Sequence, residues 1–422
     1  MGLTRRGFIG NSAATGAAIY APSVARAATP NVVVIGGGAG GATAARYIAR
    51  DSGGFKVTLI EPQRRYYTCF FSNLAIGGFW DFEATGHSYA KLASEYGVNV
   101  IHEMAIGIDR DAKTVRITSG VDIPYDRLII SPGIDFVSES VNGWSISDQN
   151  AMPHAFKGGT QAELLKSQVL AMPEGGTYVM VAPPNPYRCP PGPYERVSMV
   201  AHVLKQTNPT AKIIIADPKP KFSKMALFTE GWQNHYPGMI EWLGEDFGGG
   251  SVTVSPLTMD VDIDGELVEA DVCNVIPAMK AGWIAEVAGL TNDAGWVPVN
   301  AADMSSKADP MIHVLGDAAQ QGDMPKSGFS ANSQAKVCAM AVIGALSSTL
   351  EDATKPAYSN ICWSLIGVED GVKVGASYKA TEEKIERVEG FISQVGETKE
   401  TRKQTFEESI DWYNAMTADM FG

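Results

Sequence analysis

Residues 31–61 read NVVVIGGGAGGATAARYIARDSGGFKVTLIE, and this stretch decides the fold of the chain. The apolar, β-branched run at 31–36 predicts a buried parallel strand, and the Ala-rich run from Ala42 to Arg50 predicts a helix. A second strand is expected from Lys56 to Ile60, directly before Glu61. A strand, a glycine-rich turn, a helix and a second strand in this order predict a Rossmann-like nucleotide-binding unit.

The turn after the first strand carries a G-x-G-x-x-G match, formed by Gly36, Gly38 and Gly41. Glycines at this spacing let the backbone approach a pyrophosphate at the positive end of the following helix. Glu61 stands at the end of the second strand, where an acid accepts a hydrogen bond from a ribose hydroxyl. The alternative is a glycine-rich turn in another α/β fold, but the strand–helix–strand context favours a dinucleotide site.

Two later segments indicate which dinucleotide binds. YDRLIISPG at 125–133 resembles the return strand of FAD-binding proteins related to the pyridine-nucleotide-disulfide reductases. MIHVLGDA at 311–318 resembles their second FAD motif, in which Gly316 and Asp317 would end a strand and the aspartate would contact the ribityl chain or the pyrophosphate. The helix expected at 331–346 would aim its N-terminus at the flavin. Three motifs in this order predict FAD.

In that superfamily a second dinucleotide-binding domain is inserted between the FAD motifs. Its first strand is expected at 176–181, its helix at 194–205 and its next strand at 212–216. Where a second glycine-rich turn should lie, residues 182–193 read APPNPYRCPPGP. Proline has no N–H to offer a pyrophosphate, and its ring crowds the approach. We therefore expect this domain to keep the fold and to lose the NADH site.

The proline-rich turn contains Cys189, and Glu195 follows near the start of the helix. A buried thiol acting as a small apolar side chain is the alternative for Cys189. Six prolines around one thiol are an unusual way to fill a core, so we favour a functional role. Glu195 is a candidate catalytic base, although an acid in the first turn also complements the helix dipole.

Two thiols are candidates for a redox partner of Cys189. Cys338 lies in the predicted helix 333–346, where a packed core position is the simpler interpretation. Cys362 is followed by Trp363 at the entry to the C-terminal part of the chain, and it is better placed for a loop over the flavin. We favour Cys362 and keep Cys338 as the alternative. Cys273 is interpreted as a core residue.

The N-terminus predicts an export signal. Thr4-Arg5-Arg6-Gly7-Phe8-Ile9 is a twin-arginine pattern, an Ala/Gly-rich run follows, and Ala25-Arg26-Ala27 is a small-x-small cleavage site. We expect the protein to be exported to the periplasm already folded, with its cofactor inserted beforehand. The remaining 395 residues of the 422 exceed the usual size of one domain.

Composition excludes several classes of function. The signal contains three arginines and no acids, so its removal takes the net charge from −13 to −16. Such acidity disfavours nucleic acid and anionic membranes, and suits a basic or weakly charged protein partner. No segment after the signal reaches the ~18 apolar residues of a membrane span. The six histidines are scattered and neither CxxC nor CxxCH occurs, so we expect no metal site and no haem on this chain.

Together these features resemble the flavoprotein subunit of flavocytochrome c sulfide dehydrogenase, which is related to sulfide:quinone oxidoreductases and glutathione-reductase-like flavoenzymes. The G-x-G-x-x-G and Gly-Asp motifs are common to the whole superfamily. The more specific segments are Tyr67-Thr68-Cys69, the cysteine in the proline-rich turn, and SNICWS at 359–364.

The resemblance implies a covalent 8α-S-cysteinyl link between FAD and Cys69, and a redox-active disulfide between Cys189 and Cys362. It also implies a separate c-type cytochrome subunit, forming a heterodimer and carrying the haem c, and hydrosulfide as the substrate. A positive charge from Arg64 or Arg65 would favour the thiolate of Cys69, and we include Arg65 among the cofactor-binding residues. The alternatives are a sulfide:quinone oxidoreductase and a non-catalytic flavin electron-transfer subunit.

The expected fold class is α/β, with two Rossmann-like dinucleotide-binding domains of the glutathione-reductase-like FAD superfamily and a smaller C-terminal α+β module. The chain would divide into four parts: a twin-arginine signal peptide (1–27), a discontinuous FAD-binding domain (28–143 and 272–347), a degenerate NADH-binding-like domain (144–271) and a C-terminal module that covers the flavin (348–422).

Overall fold

The computed structural model describes residues 29–347 and 356–422. The predicted export signal at 1–27 and most of the connector before Pro356 lie outside these ranges. Within them, no helix is both long and apolar enough to cross a membrane. The same residues contain no group of His, Cys, Asp or Glu side chains that could hold a metal ion.

Residues 29–136 form most of the first sheet and the small strands around it. The first strand is β-branched and buried, as suits a parallel strand covered on both faces. The elements are β1 (Asn31–Ile35), α1 (Ala39–Asp51), β2 (Lys56–Ile60), β3 (Arg65–Tyr67), α2 (Ser72–Gly77), β4 (Gly86–Ser88), α3 (Ala90–Tyr96), β5 (Asn99–Ile101), β6 (Ala105–Asp109), β7 (Thr114–Ile117), β8 (Asp122–Pro124), β9 (Arg127–Ile130) and β10 (Ile134–Phe136).

Residues 160–275 form a second α/β unit. Its four-stranded parallel sheet has the order β13-β12-β11-β17, and a three-stranded antiparallel sheet, β14-β15-β16, packs beside it. The elements are α4 (Thr160–Leu170), β11 (Thr177–Val181), α5 (Gly192–Thr207), β12 (Lys212–Ala216), α6 (Met225–His235), β13 (Ile240–Leu243), β14 (Val252–Ser255), β15 (Asp260–Ile263), β16 (Glu266–Glu269) and β17 (Val272–Val275).

The chain then returns to the first sheet. Its elements are β18 (Met279–Ala281), α7 (Trp283–Val287), β19 (Val297–Pro298), β20 (Ser305–Ser306), β21 (Asp309–Val314), β22 (Ala319–Gln320) and α8 (Gly328–Ser347). The strand β21 pairs in parallel with β9, which completes a sheet of order β20-β21-β9-β1-β2-β5. The helix α8 packs along α1. The Gly-Asp motif after β21 therefore lies at the same edge of the sheet as the glycine-rich turn after β1.

The C-terminal part is an antiparallel sheet followed by one long helix: β23 (Ala357–Gly367), β24 (Asp370–Ala380), β25 (Ile385–Ile392) and α9 (Lys399–Phe421). Thr398 caps α9 by accepting a hydrogen bond from the Thr401 N–H at 3.2 Å. The helix packs on β24 and reaches α1 of the first unit. This module brings β23 against α5 and α8, where both α/β units meet.

Candidate active site

Three cysteines and one acid meet in a cleft of about 880 Å³ where the three parts of the structure join. Cys69 comes from the loop between β3 and α2, Cys189 from the turn before α5, and Cys362 from β23. Glu195 lines the same cleft from the first turn of α5. Since these residues are far apart in the sequence, the fold gathers them.

The other two cysteines do not line this cleft. Cys273 and Cys338 are both 0% exposed, the first in β17 and the second inside α8. Both are packed among apolar side chains. All five cysteines of the chain are free thiols in this structure. The geometry therefore favours Cys362 over Cys338 as the thiol that works with Cys189.

The turn that carries Cys189 holds it in an unusual backbone conformation. Its φ is +56°, in the left-handed region that non-glycine residues occupy at a cost of roughly 1–3 kcal/mol. Two backbone hydrogen bonds hold it there: the Cys189 N–H donates to the Lys326 carbonyl at 2.7 Å, and the Gly192 N–H donates to the Cys189 carbonyl at 2.8 Å. A Cβ at Gly192 would lie 2.9 Å from the Cys189 sulfur, so glycine leaves room for the thiol.

Cys362 lies on a strand, not on the loop that we predicted. It belongs to the eleven-residue β23, which pairs with β24 along most of its length, Cys362 opposite Val374. The Asn360 amide donates to the Cys362 sulfur at 3.4 Å. Burial raises the pKa of the Cys362 thiol, and the Asn360 hydrogen bond and the charge of Lys224 act in the opposite direction.

Lys224 is a buried cation next to this thiol, and our sequence analysis missed it. Its ammonium donates to the Cys362 carbonyl at 3.1 Å and to the Ser364 hydroxyl at 2.8 Å. Burial lowers the pKa of Lys224 to about 8, while the negative charges that Cys362, Glu195 and Cys189 can carry oppose this shift. A lysine directly before a helix carries no signal in the sequence, because its surroundings are set by β23.

Glu195 is a buried carboxyl with two hydrogen-bond donors. The Asn73 side-chain amide donates to Oε2 at 2.8 Å, and the Leu365 N–H donates to Oε1 at 3.0 Å. Burial raises the pKa of Glu195, and these two hydrogen bonds counteract it in part. A carboxyl with a raised pKa keeps its proton to higher pH than an exposed carboxyl, and this is one way in which proteins tune a general acid or base. This arrangement is consistent with the predicted role of a catalytic base.

The surroundings of Cys69 differ from our expectation in one respect. Arg65 points away from the cleft: its guanidinium pairs with Glu83 at 3.1 Å and does not line the cleft with Cys69. Arg188, next to Cys189 in the proline-rich turn, lines the cleft instead. Its guanidinium lies 3.7 Å from the Asp317 carboxylate and donates to the Phe156 carbonyl. The positive charge near Cys69 therefore comes from Arg188 rather than from Arg65.

The glycine-rich turn has the geometry of a dinucleotide site. Gly36 has a φ of +94°, and a Cβ on Gly41 would collide with the Gly36 carbonyl, so both positions require glycine. Gly38 is the residue directly before α1. Glu61, at the end of β2, accepts a hydrogen bond from the Gly37 N–H at 2.8 Å. The acid therefore lies beside the turn, where a ribose hydroxyl would reach it.

The Gly-Asp motif contributes a free acceptor. The Gly316 N–H donates to Gln334 at 2.8 Å, and the adjacent Asp317 has a buried carboxylate oxygen, Oδ1, with no hydrogen-bond partner among residues 29–347 and 356–422. An orphaned buried acceptor fits a ligand that brings hydroxyl donors, such as the ribityl chain of FAD. Ser327, Gly328 and the start of α8 also line the cleft, so the positive end of this helix faces it. The residues present fit FAD.

Comparison with known proteins follows the same division of the chain. Residues 30–167 match the pyridine nucleotide-disulphide oxidoreductase family. Residues 162–277 match the central region of the sulfide dehydrogenase [flavocytochrome c] flavoprotein chain, and residues 354–421 match the flavin-binding region of flavocytochrome c sulphide dehydrogenase.

Among curated relatives, mouse mitochondrial sulfide:quinone oxidoreductase is 24% identical over 301 residues, which cover 68% of this chain and 65% of that protein, slightly less than two thirds of its length. The flavoprotein chain of sulfide dehydrogenase [flavocytochrome c] from Chlorobaculum thiosulfatiphilum is 49% identical over 45 residues, 11% of this chain and 94% of that sequence. The crystal structure of sulfide:quinone oxidoreductase from Aquifex aeolicus superposes with a TM-score of 0.69, at 22% identity and 91% coverage of both chains. The predicted fold class is confirmed.

Proposed function

Because the chain belongs to the family of flavoprotein chains of flavocytochrome c sulfide dehydrogenase, we propose that it oxidises hydrosulfide to zero-valent sulfur. The observation that carries this proposal is the meeting of Cys189, Cys362 and Glu195 in the cleft that also contains Cys69. Two thiols beside a buried acid provide the groups that sulfur transfer requires.

The first step uses the Cys189–Cys362 pair in its disulfide form. Hydrosulfide attacks one sulfur of the disulfide, a new S–S bond forms, and the bond between the two cysteines breaks. One cysteine then carries a persulfide and the other is a thiolate. The attacking sulfur loses two electrons and the disulfide gains them. Glu195 or solvent takes the proton of the hydrosulfide.

Cations in and beside the cleft favour this anionic chemistry. Lys224 contacts the backbone of Cys362, Arg188 is adjacent to Cys189 in the turn, and Arg196 lines the cleft beside Glu195. Arg196 is buried, and its guanidinium is held by the Asn73 side chain at 3.1 Å and by backbone carbonyls. Fixed positive charge around a buried site attracts hydrosulfide and stabilises a thiolate leaving group.

The residues after β1 and β21 would hold the dinucleotide part of FAD, and the Cys69 thiol would tether its ring covalently. Bound FAD would supply a two-electron acceptor that can release electrons one at a time. The location of Cys69 in the same cleft as the cysteine pair supports this tether. A covalent link would keep the cofactor on a protein that works in the periplasm, where we propose that this chain is exported by the twin-arginine route.

We propose a c-type cytochrome subunit as the electron acceptor, in a heterodimer with this chain. The support is the description of the families that match residues 162–277 and 354–421. A quinone is the second candidate, because the mouse relative is named for it. A non-catalytic flavin electron-transfer subunit would need no working cysteine pair.

Anaerobic addition of sulfide to the FAD-loaded protein tests the proposal. We expect the flavin to be reduced, and then reoxidised by a c-type cytochrome more efficiently than by a water-soluble quinone. Cys189→Ser and Cys362→Ser should each abolish reduction by sulfide, while Cys273→Ala, a change in the core away from the cleft, should not. A flavin that stays oxidised while the disulfide is intact contradicts the proposal. Faster reoxidation by the quinone than by the cytochrome identifies a quinone as the electron acceptor.

A further inference from the structure

Cys362 lines a second space in addition to the cleft. A groove of about 480 Å³ lies between the sheet of β23 and β24 and the proline-rich turn, and Cys362 is one of its lining residues. In the paired register Cys362 faces Val374 and Asn360 faces Ala376, so these four side chains lie on the same face of the sheet. We call this space the β23–β24 groove. The Cys362 thiol stands between the cleft and this groove.

The walls of the groove combine an apolar surface with the polar side chains of Ser223, Asn360, Tyr378 and Arg387. Pro190, Pro191 and Pro325 lie opposite the sheet, and Val374 and Ala376 form its floor. Proline has no backbone N–H, and the floor is apolar. The apolar part of the lining suits sulfur, which is soft and polarizable.

The outer part of the groove carries a cation. Arg387 on β25 is exposed and lines the groove together with Tyr378. Two carboxylates near Arg387 pair with lysines, Glu386 with Lys379 and Asp323 with Lys384, and Asp323 also accepts a hydrogen bond from the Arg387 backbone N–H at 3.1 Å. Among the described residues, the Arg387 guanidinium forms no ion pair. A free guanidinium at the entrance of an apolar groove attracts anions.

The two spaces have different occupants under the proposed function. The cleft contains Cys69 and the start of α8, where the flavin ring would lie, so the ring covers the cysteine pair from that side. The groove remains as the open approach to Cys362. We propose that the β23–β24 groove is the passage through which inorganic sulfur anions reach Cys362 and leave it. This inference rests on the proposed function and adds the route to it.

The passage must accommodate both the substrate and a longer product. Hydrosulfide can attack the outer sulfur of a deprotonated persulfide on Cys362: the bond between the cysteine sulfur and the outer sulfur breaks, an S–S bond forms to the incoming sulfur, and a cysteine thiolate and a hydrodisulfide anion result. Charge and electrons balance without an added oxidant, because only sulfane sulfur is transferred. The product is an anionic sulfur chain, which matches an apolar groove with a cation at its outer part.

A steric test uses Ala376→Phe, which fills the floor of the groove, with Ser377→Phe as the control on the opposite face of the same strand. The FAD-loaded protein is reduced with dithiothreitol and exchanged into anaerobic buffer. The rate at which iodoacetamide alkylates Cys362 is then measured by peptide mass spectrometry. We expect Ala376→Phe to slow both the alkylation and the reduction of the flavin by sulfide about tenfold, and Ser377→Phe to change neither more than about twofold. Equal rates in the two variants overturn the inference.

A charge test uses Arg387→Gln, with Arg387→Lys to restore the charge and Lys379→Gln to remove a nearby charge outside the groove. At low ionic strength we expect Arg387→Gln to slow flavin reduction by sulfide about threefold, and the difference to vanish in 1 M salt. Lys379→Gln slowing the reaction as much as Arg387→Gln contradicts a local role of the groove.

The two proposals fail in distinguishable ways. A wild-type flavin that sulfide does not reduce contradicts the proposed function, whereas normal reduction in both Ala376→Phe and Arg387→Gln contradicts only the passage. If Ala376→Phe unfolds at a clearly lower urea concentration than Ser377→Phe, its fold is disturbed and Arg387→Gln decides, because this side chain is exposed.

Discussion

Replacing Arg402 with methionine removes a charge that joins the C-terminal module to the rest of the protein. The guanidinium is 7% exposed and forms ion pairs with Glu230 at 2.8 Å, Asp370 at 3.0 Å and Glu397 at 3.0 Å. These acids come from α6, from β24 and from the segment before α9. Methionine keeps most of the volume of arginine, so the change tests the charge rather than the packing.

The expected loss of stability depends on the three carboxylates that remain after the substitution. Removing one partner of a fully buried ion pair costs about 3–5 kcal/mol, because the other charge is left buried. Here the three carboxylates are 15–23% exposed and can recover some hydration, and Asp370 keeps its contact with His235 at 2.7 Å. We therefore expect Arg402→Met to lower the free energy of unfolding by about 3 kcal/mol, the lower end of that range.

The pH dependence of the loss has a defined sign. The hydrogen bonds from His235 and Arg402 and the charge of Arg402 hold the pKa of Asp370 below its ordinary value, against the effect of burial. A carboxyl with a depressed pKa stabilises the fold above its unfolded-state pKa of about 4, and this stabilisation is lost as the pH falls through the folded-state pKa. The difference between wild type and Arg402→Met should therefore be largest near pH 7 and shrink towards pH 3.

Urea unfolding followed by tryptophan fluorescence measures the difference. Lys403→Met is the matched control, because Lys403 is the next residue on α9 and its pair with Glu369 is half exposed, at 48% and 53%. Exposed ion pairs contribute little to stability, so Lys403→Met should unfold at the same urea concentration as wild-type protein. The reasoning is refuted if Arg402→Met is no less stable than Lys403→Met, or if its loss grows in acid.

Three further predictions concern the cleft. Lys224→Met should raise the pKa of the Cys362 thiol, because it removes a nearby positive charge, and this would be seen as a shift to higher pH in its rate of alkylation. Lys224→Arg should not, nor should Lys219→Met, whose ammonium pairs with Asp217; an unmoved profile in Lys224→Met contradicts the effect. Glu195→Gln should slow flavin reduction by sulfide about 10²-fold. It should also remove the rise in rate that wild-type protein shows as the pH passes through the raised pKa of Glu195. A variant with the wild-type rate and the wild-type pH dependence would exclude a proton-transfer role. Cys69→Ser should release all flavin on denaturation in acid, while wild-type protein keeps it on the polypeptide; flavin lost from both contradicts the covalent link.

The elements that could be predicted from the sequence are those with local signals. The strand at 56–60 and the strand at 212–216 match β2 and β12 at both ends, because a short β-branched run bounded by polar residues identifies a buried parallel strand. The glycine-rich turn carries its own requirement for glycine. The proline-rich turn identified Cys189 because so many prolines around one thiol are visible in the sequence itself.

The features that sequence reasoning missed depend on contacts between distant segments. Cys362 was expected on a loop, but pairing with β24 makes its segment a strand, and that pairing leaves no simple pattern around SNICWS. Lys224 becomes part of the site only because β23 passes beside it. Arg65 was chosen for its nearness to Cys69 in the chain, whereas Arg188 reaches the cleft from the other α/β unit. Nearness in sequence was a poor guide to nearness in space.

The separation of Cys189 and Cys362 along the chain has a consequence for biosynthesis. The first thiol leaves the ribosome long before β23 has been synthesised, and β23 needs β24 to pair with. The cysteine pair therefore meets only after β24 has been made and the sheet of β23 and β24 has docked on α5 and α8. A chain that ends before β24 lacks this arrangement, so the proposed reaction with hydrosulfide is coupled to the folding of the C-terminal sheet.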